Sequence, residues 1–130
     1  MKKRGRIQTY AFAKSLDNIK NWVLSQGSVA VGTMWYERMF EPDSEGMIVP
    51  RGNPAGGHAY LLIGYNPATD ILTFLNSWGA AWGLSGRFKM KAKDWAGLFA
   101  DDGEAVVALE MPVEEAKLVF GNYSNGSALA

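Results

Sequence analysis

A histidine and an asparagine, on two neighbouring apolar segments, are the residues of this chain that could do acid–base chemistry together. His58 follows Gly57 and opens the first segment, and Asn76 closes the second within Asn-Ser-Trp-Gly. An imidazole works as a general base when another polar group fixes its tautomer, and an asparagine amide can do this. The two residues therefore predict a base held by an orienting amide.

A hairpin would bring the two side chains together. Residues 59–65 form a nearly continuous apolar run, which is typical of a strand buried on both faces. A tight connection at 66–70 leads into a second strand at 71–78. This pairing places His58 at the start of one strand and Asn76 near the end of its antiparallel partner.

A nucleophile for that base is missing, because the chain contains no cysteine. This absence excludes a thiol nucleophile, disulfides and thiolate metal sites. Ser77 is adjacent to Asn76 and would point to the opposite side of the predicted strand. Ser44 and Ser85 lie in predicted loops that the sequence does not place near His58. His58 is read either as a working base or, in preference, as a buried core residue paired with Asn76.

The remaining segments predict an α+β domain built on an antiparallel sheet. Ser15 is a candidate N-cap for a helix of about three turns that ends before Gly27. The pattern further predicts strands at 28–36, 87–91 and 104–111, a short helix at 93–99, and loops at 41–46, 50–57 and 79–86. A helix at 113–120 fits the sequence more weakly. The predicted organisation is a basic arm at 1–6, a domain at 7–111 and a polar tail at 112–130.

Three motifs resemble those of papain-like (C1) cysteine peptidases: Gly57-His58, Asn76-Ser77-Trp78-Gly79 and Trp82-Gly83. The resemblance covers residues 7–111 and implies the C-terminal half of that fold, an antiparallel sheet or half-barrel with an N-terminal helix and one or two short helices. It implies that His58 stands in the position of the general base and Asn76 in that of its orienting amide. Trp78 would cover their contact and Trp82 would line the leaving-group side of the cleft, although packing is the preferred reading of both indoles.

Composition limits the partners and cofactors. The formal net charge is zero and the pI is about 6.6, which predicts binding neither to nucleic acid nor to an acidic membrane. No grouping of side chains has metal-ligand spacing, and no cofactor is predicted. The basic run at 2–6 would contact phosphate or an acidic protein surface, or, in preference, form a solvated tail. Without an export signal or membrane span, the sequence predicts a soluble protein, cytoplasmic or part of a particle assembled there.

The functional hypothesis is a catalytically inactive papain-like module. The half of the fold that carries the cysteine and the oxyanion glutamine in that family has no counterpart in this sequence. A lone half would expose apolar surface, so we expect a protein partner or self-association within a larger assembly, for which a virus particle is one setting. The main alternative is the His/Asn subunit of a split cysteine peptidase whose cysteine comes from another chain. A processed peptidase fragment is a third reading.

Overall fold

Seven strands and two α-helices make up the part of the chain that the computed structural model describes, residues 7–111 and 123–125. The strands are β1 (Ile7–Ala13), β2 (Val29–Tyr36), β3 (Pro54–Asn66), β4 (Ile71–Leu75), β5 (Arg87–Lys91), β6 (Glu104–Met111) and β7 (Tyr123–Asn125). The helices are α1 (Leu16–Ser25) and α2 (Ala92–Ala100), and a short 3-10 helix spans Glu37–Phe40.

The strands form one sheet in the order β5-β4-β3-β2-β6-β1-β7, and every neighbouring pair is antiparallel. The predicted α+β class, with its antiparallel sheet, is confirmed. The predicted hairpin is also present, because β3 and β4 pair directly and place Leu61 opposite Leu75.

One face of the sheet carries the core. Along β2 burial alternates, with Val29, Val31, Thr33 and Trp35 buried and Ala30, Gly32 and Met34 more open. The prediction that 59–65 is buried on both faces is wrong. Tyr60 and Leu62 are buried there, whereas Leu61 is 38% exposed. The exposed face of β3 also carries apolar residues, so the sequence shows a continuous apolar run although burial alternates along the strand.

Both helices pack on the core face. Ser15 is the N-cap of α1, as predicted, and its hydroxyl oxygen accepts the amide hydrogen of Asn18 at 3.0 Å. Ile19 and Trp22 are the buried residues of α1, and Trp95 is fully buried on α2. The predicted short helix at 93–99 is therefore confirmed within Ala92–Ala100.

An exposed polar contact joins α1 to the β3–β4 hairpin. Lys20 Nζ lies 3.2 Å from the Asp70 carboxylate and 5.0 Å from the centre of the Tyr65 ring. Hydrogen bonds from Tyr65 and Lys20 lower the pKa of Asp70. The turn that sets the hairpin register is thereby fixed against the helix.

Two strand boundaries differ from the prediction. Residues 50–57 were expected to be a loop because they contain Pro54, Gly56 and Gly57, yet β3 begins at Pro54 and these residues pair with the end of β2. The second strand was expected to reach residue 78, but β4 ends at Leu75. Asn76 and Ser77 therefore lie just beyond the strand, so the strand alternation used to orient Ser77 does not apply.

Two strands have no counterpart in the predicted elements. β1 precedes the helix that was expected to open the domain, and it pairs with β6 and β7. β7 lies within residues 112–130, for which a polar tail was expected. The weaker prediction of a helix at 113–120 falls outside the described residues, as does the basic run at 2–6. None of the helices described in the structure is long and apolar enough to cross a membrane.

Candidate functional site

The hairpin brings His58 and Asn76 into contact. His58 Nε2 lies 2.8 Å from Asn76 Oδ1. His58 faces Thr33 across the β2–β3 ladder, and Asn76 is the first residue after β4. Asn76 is only 7% exposed, so this hydrogen bond is shielded from water.

A second hydrogen bond fixes which way the Asn76 amide faces. The backbone N–H of Ser77 donates to Asn76 Oδ1 at 2.8 Å, so the atom turned toward His58 must be the oxygen. An amide oxygen only accepts, which requires His58 Nε2 to carry the hydrogen. In the neutral imidazole, Nδ1 is then the nitrogen with a free lone pair, as a general base requires. Asn76 Nδ2 is buried and has no hydrogen-bond partner among the described residues.

Three aromatic rings surround the imidazole. The Trp78 ring lies 4.7 Å from the His58 ring at an angle of 30°, and the Tyr60 ring lies 5.7 Å away at 23°. Trp35 meets the imidazole edge-on at 4.8 Å and is 2% exposed. Trp78 thus lies beside the His58–Asn76 contact, as the family resemblance implied, and it remains 38% exposed.

Trp82 lies one layer further out. Its ring packs edge-on against Trp78 at 5.0 Å, and its Nε1 donates to the carbonyl of Phe40 at 3.0 Å. Phe40 in turn stacks on Trp78 with ring centres 5.5 Å apart. Trp82 therefore ties the 3-10 helix to the loop that carries Trp78. Its expected place at a leaving-group cleft stays a prediction.

The three motif glycines differ in what the backbone demands of them. Gly83 has φ +63°, and a Cβ atom there would lie 2.5 Å from the carbonyl oxygen of Arg87. Gly79 has φ +91° and open space around it, whereas Gly57 has neither a positive φ nor a neighbour within 4 Å. Only Gly83 is fixed by both conformation and close approach.

Trp35 and Tyr60 were not identified from the sequence as site residues. The signal that could have found them is strand register, because Thr33 opposite His58 places Trp35 and Tyr60 on the same face. Thr33 Oγ1 donates to the carbonyl of Met34, so the Tyr60 hydroxyl donates to Thr33 at 2.6 Å and accepts from Trp95 Nε1 at 3.0 Å. Burial raises the pKa of Tyr60, against the opposite effect of these two hydrogen bonds.

A groove of about 480 Å³ lies beside His58 and includes Thr33, its partner across the β2–β3 ladder. Gly32, Met34 and Ala59 line it, together with the acidic Asp101 and Glu104. A larger hollow of about 680 Å³, between Phe12 and Phe99, lies away from the histidine and has no evident link to its chemistry. No group of acidic, histidine or cysteine side chains in the described ranges could hold a metal ion.

No hydroxyl takes the place of a thiol at His58. Within residues 7–111 and 123–125, the side-chain hydrogen bond of His58 is the one to Asn76. Ser77 is exposed, and its backbone N–H rather than its hydroxyl meets the Asn76 amide. The arrangement can orient and shield a base, and no hydroxyl of the described residues hydrogen-bonds to the imidazole.

The motifs, the fold and the His58–Asn76 geometry agree with a family match. The family model described as papain family cysteine protease matches residues 2–102. The chain therefore belongs to the papain family of cysteine proteases.

Individual relatives support the same assignment. A cathepsin B-like cysteine proteinase of Caenorhabditis elegans is 29% identical over 83 residues, which cover 62% of this chain and 24% of that protein. An uncharacterised peptidase C1-like protein of Acanthamoeba polyphaga mimivirus is 31% identical over 83 residues, or 60% of this chain and 27% of that protein. The chain spans about a quarter of the length of these curated relatives.

Solved structures share the fold. Xylellain, a cysteine protease from Xylella fastidiosa, superposes with a TM-score of 0.65 at 24% identity, over 81% of this chain and 41% of that one. The bromelain protease from Ananas comosus gives 0.59 at 19% identity, over 78% of this chain and 50% of that one. The described residues thus correspond to half or less of a papain-like protease, the half that carries the histidine and asparagine motifs.

Proposed function

We propose that this chain is a non-catalytic papain-like module that works as a structural or binding subunit of a larger assembly. The observation that carries the proposal is the pairing of an oriented imidazole with a chain that has no cysteine. The nucleophile of cysteine peptidases is a thiolate, and removing a nucleophile leaves at best a small residual rate.

Retention of the His58–Asn76 pair has a structural reason that does not require catalysis. Asn76 is buried, and truncating His58 would leave its amide oxygen with the Ser77 N–H alone in an aromatic surrounding. Losing one hydrogen bond of a group that keeps another costs about 0.5 to 1.5 kcal/mol. The pair is therefore kept as part of the core whether or not it acts as a base.

The binding role is supported by the sheet face opposite the core. Tyr10 is 54% exposed and Leu61 38% exposed on that face. Exposed apolar side chains on one sheet face favour association. The relatives come from a cellular organism and from a virus, so they do not define the type of assembly. A virus particle is one setting to test, because one relative is a mimivirus protein.

An assay of the purified chain tests the inactivity. Fluorogenic peptide substrates should give no hydrolysis above that of a His58→Ala variant, and an epoxide probe directed at thiols should leave the mass of the protein unchanged. Hydrolysis that disappears in His58→Ala would refute the proposal and point to a serine or water nucleophile.

A second function is favoured by the free Nδ1 of His58. This nitrogen is the one left able to accept a proton, so a cysteine supplied by another polypeptide would complete a peptidase. Purification of the chain from its native source separates the two functions. A co-purifying protein with a cysteine at a helix start, labelled by the epoxide probe, supports the split peptidase, whereas unlabelled partners support the binding subunit.

A further inference from the structure

The face of the sheet opposite the core carries one continuous row of side chains. Hydrogen-bonded register aligns residues across six strands, from β5 to β1, and the row reads Arg87, Leu75, Leu61, Ala30, Val106, Phe12. Their neighbours along each strand, such as Phe74, Phe88 and Leu62, are buried in the core. Because side chains alternate along a strand, the whole row points away from the core.

The middle of this row is apolar and its flanks carry opposite charges. Leu61 lies on β3, the third strand of the five from β5 to β6. Arg87 ends the row on β5, and Glu104 lies on β6 two residues from Val106, on the same face. Neither Arg87 nor Glu104 forms an ion pair or side-chain hydrogen bond with another described residue. Within residues 7–111 and 123–125, each flank therefore holds a charge that no opposite charge compensates.

We propose that a second copy of this chain covers this row, related to the first by a two-fold axis that runs along β3. With the axis along β3, each strand of one copy faces the strand of the other copy that lies equally far from β3 on the opposite side, as an isologous interface requires. Because β5 and β6 lie equally far from β3, Arg87 of one copy meets Val106 and Glu104 of the other. The two Leu61 side chains meet at the axis.

The dimensions allow this packing. Strands lie about 4.8 Å apart, so β5 and β6 are each roughly 10 Å from the axis. Two sheets stack face to face about 10 Å apart. Glu104 lies about 7 Å along β6 from the level of Arg87, because it stands two positions before Val106. An extended arginine reaches a carboxylate at that offset, and the contact forms twice in the dimer.

This inference rests on the proposed binding function and names the partner as a second copy. Both charges and the apolar centre are complementary to themselves under the two-fold axis, which an unrelated partner would not require. An unrelated protein is the competing occupant of the same face, and a chain that stays monomeric would favour it.

Sedimentation equilibrium of the purified chain at micromolar concentration tests the dimer. Leu61→Arg should raise the dimer dissociation constant at least about 30-fold, as expected for a central apolar contact. The matched control is Leu24→Arg, which places the same charge at a 52% exposed leucine on α1 and should leave the dimer intact.

A charge exchange tests the two-fold relation. Arg87→Glu or Glu104→Arg alone should weaken the dimer about tenfold, and the two together should restore it. Three results would each overturn the proposal. The chain could stay monomeric, Leu61→Arg could leave the dimer unchanged, or the double variant could dimerise more weakly than both single variants. These outcomes leave the inactivity of the chain untouched, which the hydrolysis assay decides separately.

Discussion

The amide oxygen of Asn76 holds both the imidazole of His58 and the backbone N–H of Ser77, each at 2.8 Å. This shared acceptor orients the amide, and the amide sets the tautomer of the histidine. The relation joins the residue that follows β4 to His58 in the first half of β3, so it forms only when the hairpin register is correct.

Asn76→Ala should free the imidazole. Loss of the amide oxygen removes the acceptor of the His58 Nε2 hydrogen and should destabilise the fold by about 1 to 3 kcal/mol. Proton NMR should show a slowly exchanging ring N–H signal of His58 in the parent protein and none in the variant. Asn66→Ala is the control, because the Asn66 side chain accepts from the Ala68 amide in the hairpin turn, and this change should leave the histidine signal in place.

Tyr60→Phe should destabilise the core beneath His58. The change removes the acceptor of Trp95 Nε1 and the donor to Thr33. Buried polar groups are then left unpaired, which should lower the free energy of unfolding by about 1 to 3 kcal/mol. Urea unfolding of the single variants and of Tyr60→Phe with Trp95→Phe gives a double-mutant cycle. Additive losses would show that the Tyr60–Trp95 hydrogen bond contributes nothing.

The same tyrosine should make stability fall at alkaline pH. Burial raises the pKa of Tyr60 above its ordinary value of 10.0, so the folded state holds the phenol proton more tightly than the unfolded chain does. The resulting stability is complete below the unfolded value and is lost as pH rises through the folded value. Unfolding midpoints between about pH 9 and about pH 11 should fall more steeply in the parent protein than in Tyr60→Phe. Parallel slopes would contradict the assignment.

Gly83→Ala and Gly57→Ala form a matched pair within the motifs. The added Cβ at Gly83 meets the Arg87 carbonyl oxygen and a positive φ, so we expect a loss of about 1 to 3 kcal/mol. At Gly57 the added Cβ meets nothing within 4 Å, so we expect a small change. Thermal unfolding of both variants measures the difference, and equal melting temperatures would be inconsistent with this geometry.

The sequence was sufficient for the hairpin and for the contact between His58 and Asn76. The turn at residues 66–70 sets a short-range register, so both side chains arrive at the same end of the hairpin. Ser15 identified the start of α1 for a similarly local reason, since the cap bonds only three residues away.

Long-range pairing was beyond the sequence pattern. β1 pairs with β6 and β7, which are both distant from it in the chain. Pro54 belongs to β3 because the end of β2 pairs with it. Trp35 reaches His58 through the β2–β3 register, which no local motif encodes. These elements required knowledge of which strands are neighbours.

Active-site titration of the assembly purified through this chain is the most direct test of the proposal that the chain holds an oriented base without a nucleophile. The assembly from its native source would be treated with a thiol-directed epoxide and analysed by mass spectrometry, beside one carrying His58→Ala. We expect no labelling that depends on His58. The contrary result is a co-purified protein that the epoxide labels when it is bound to the parent chain but not when it is bound to the His58→Ala variant. That result would contradict the non-catalytic role and establish the chain as half of a working peptidase.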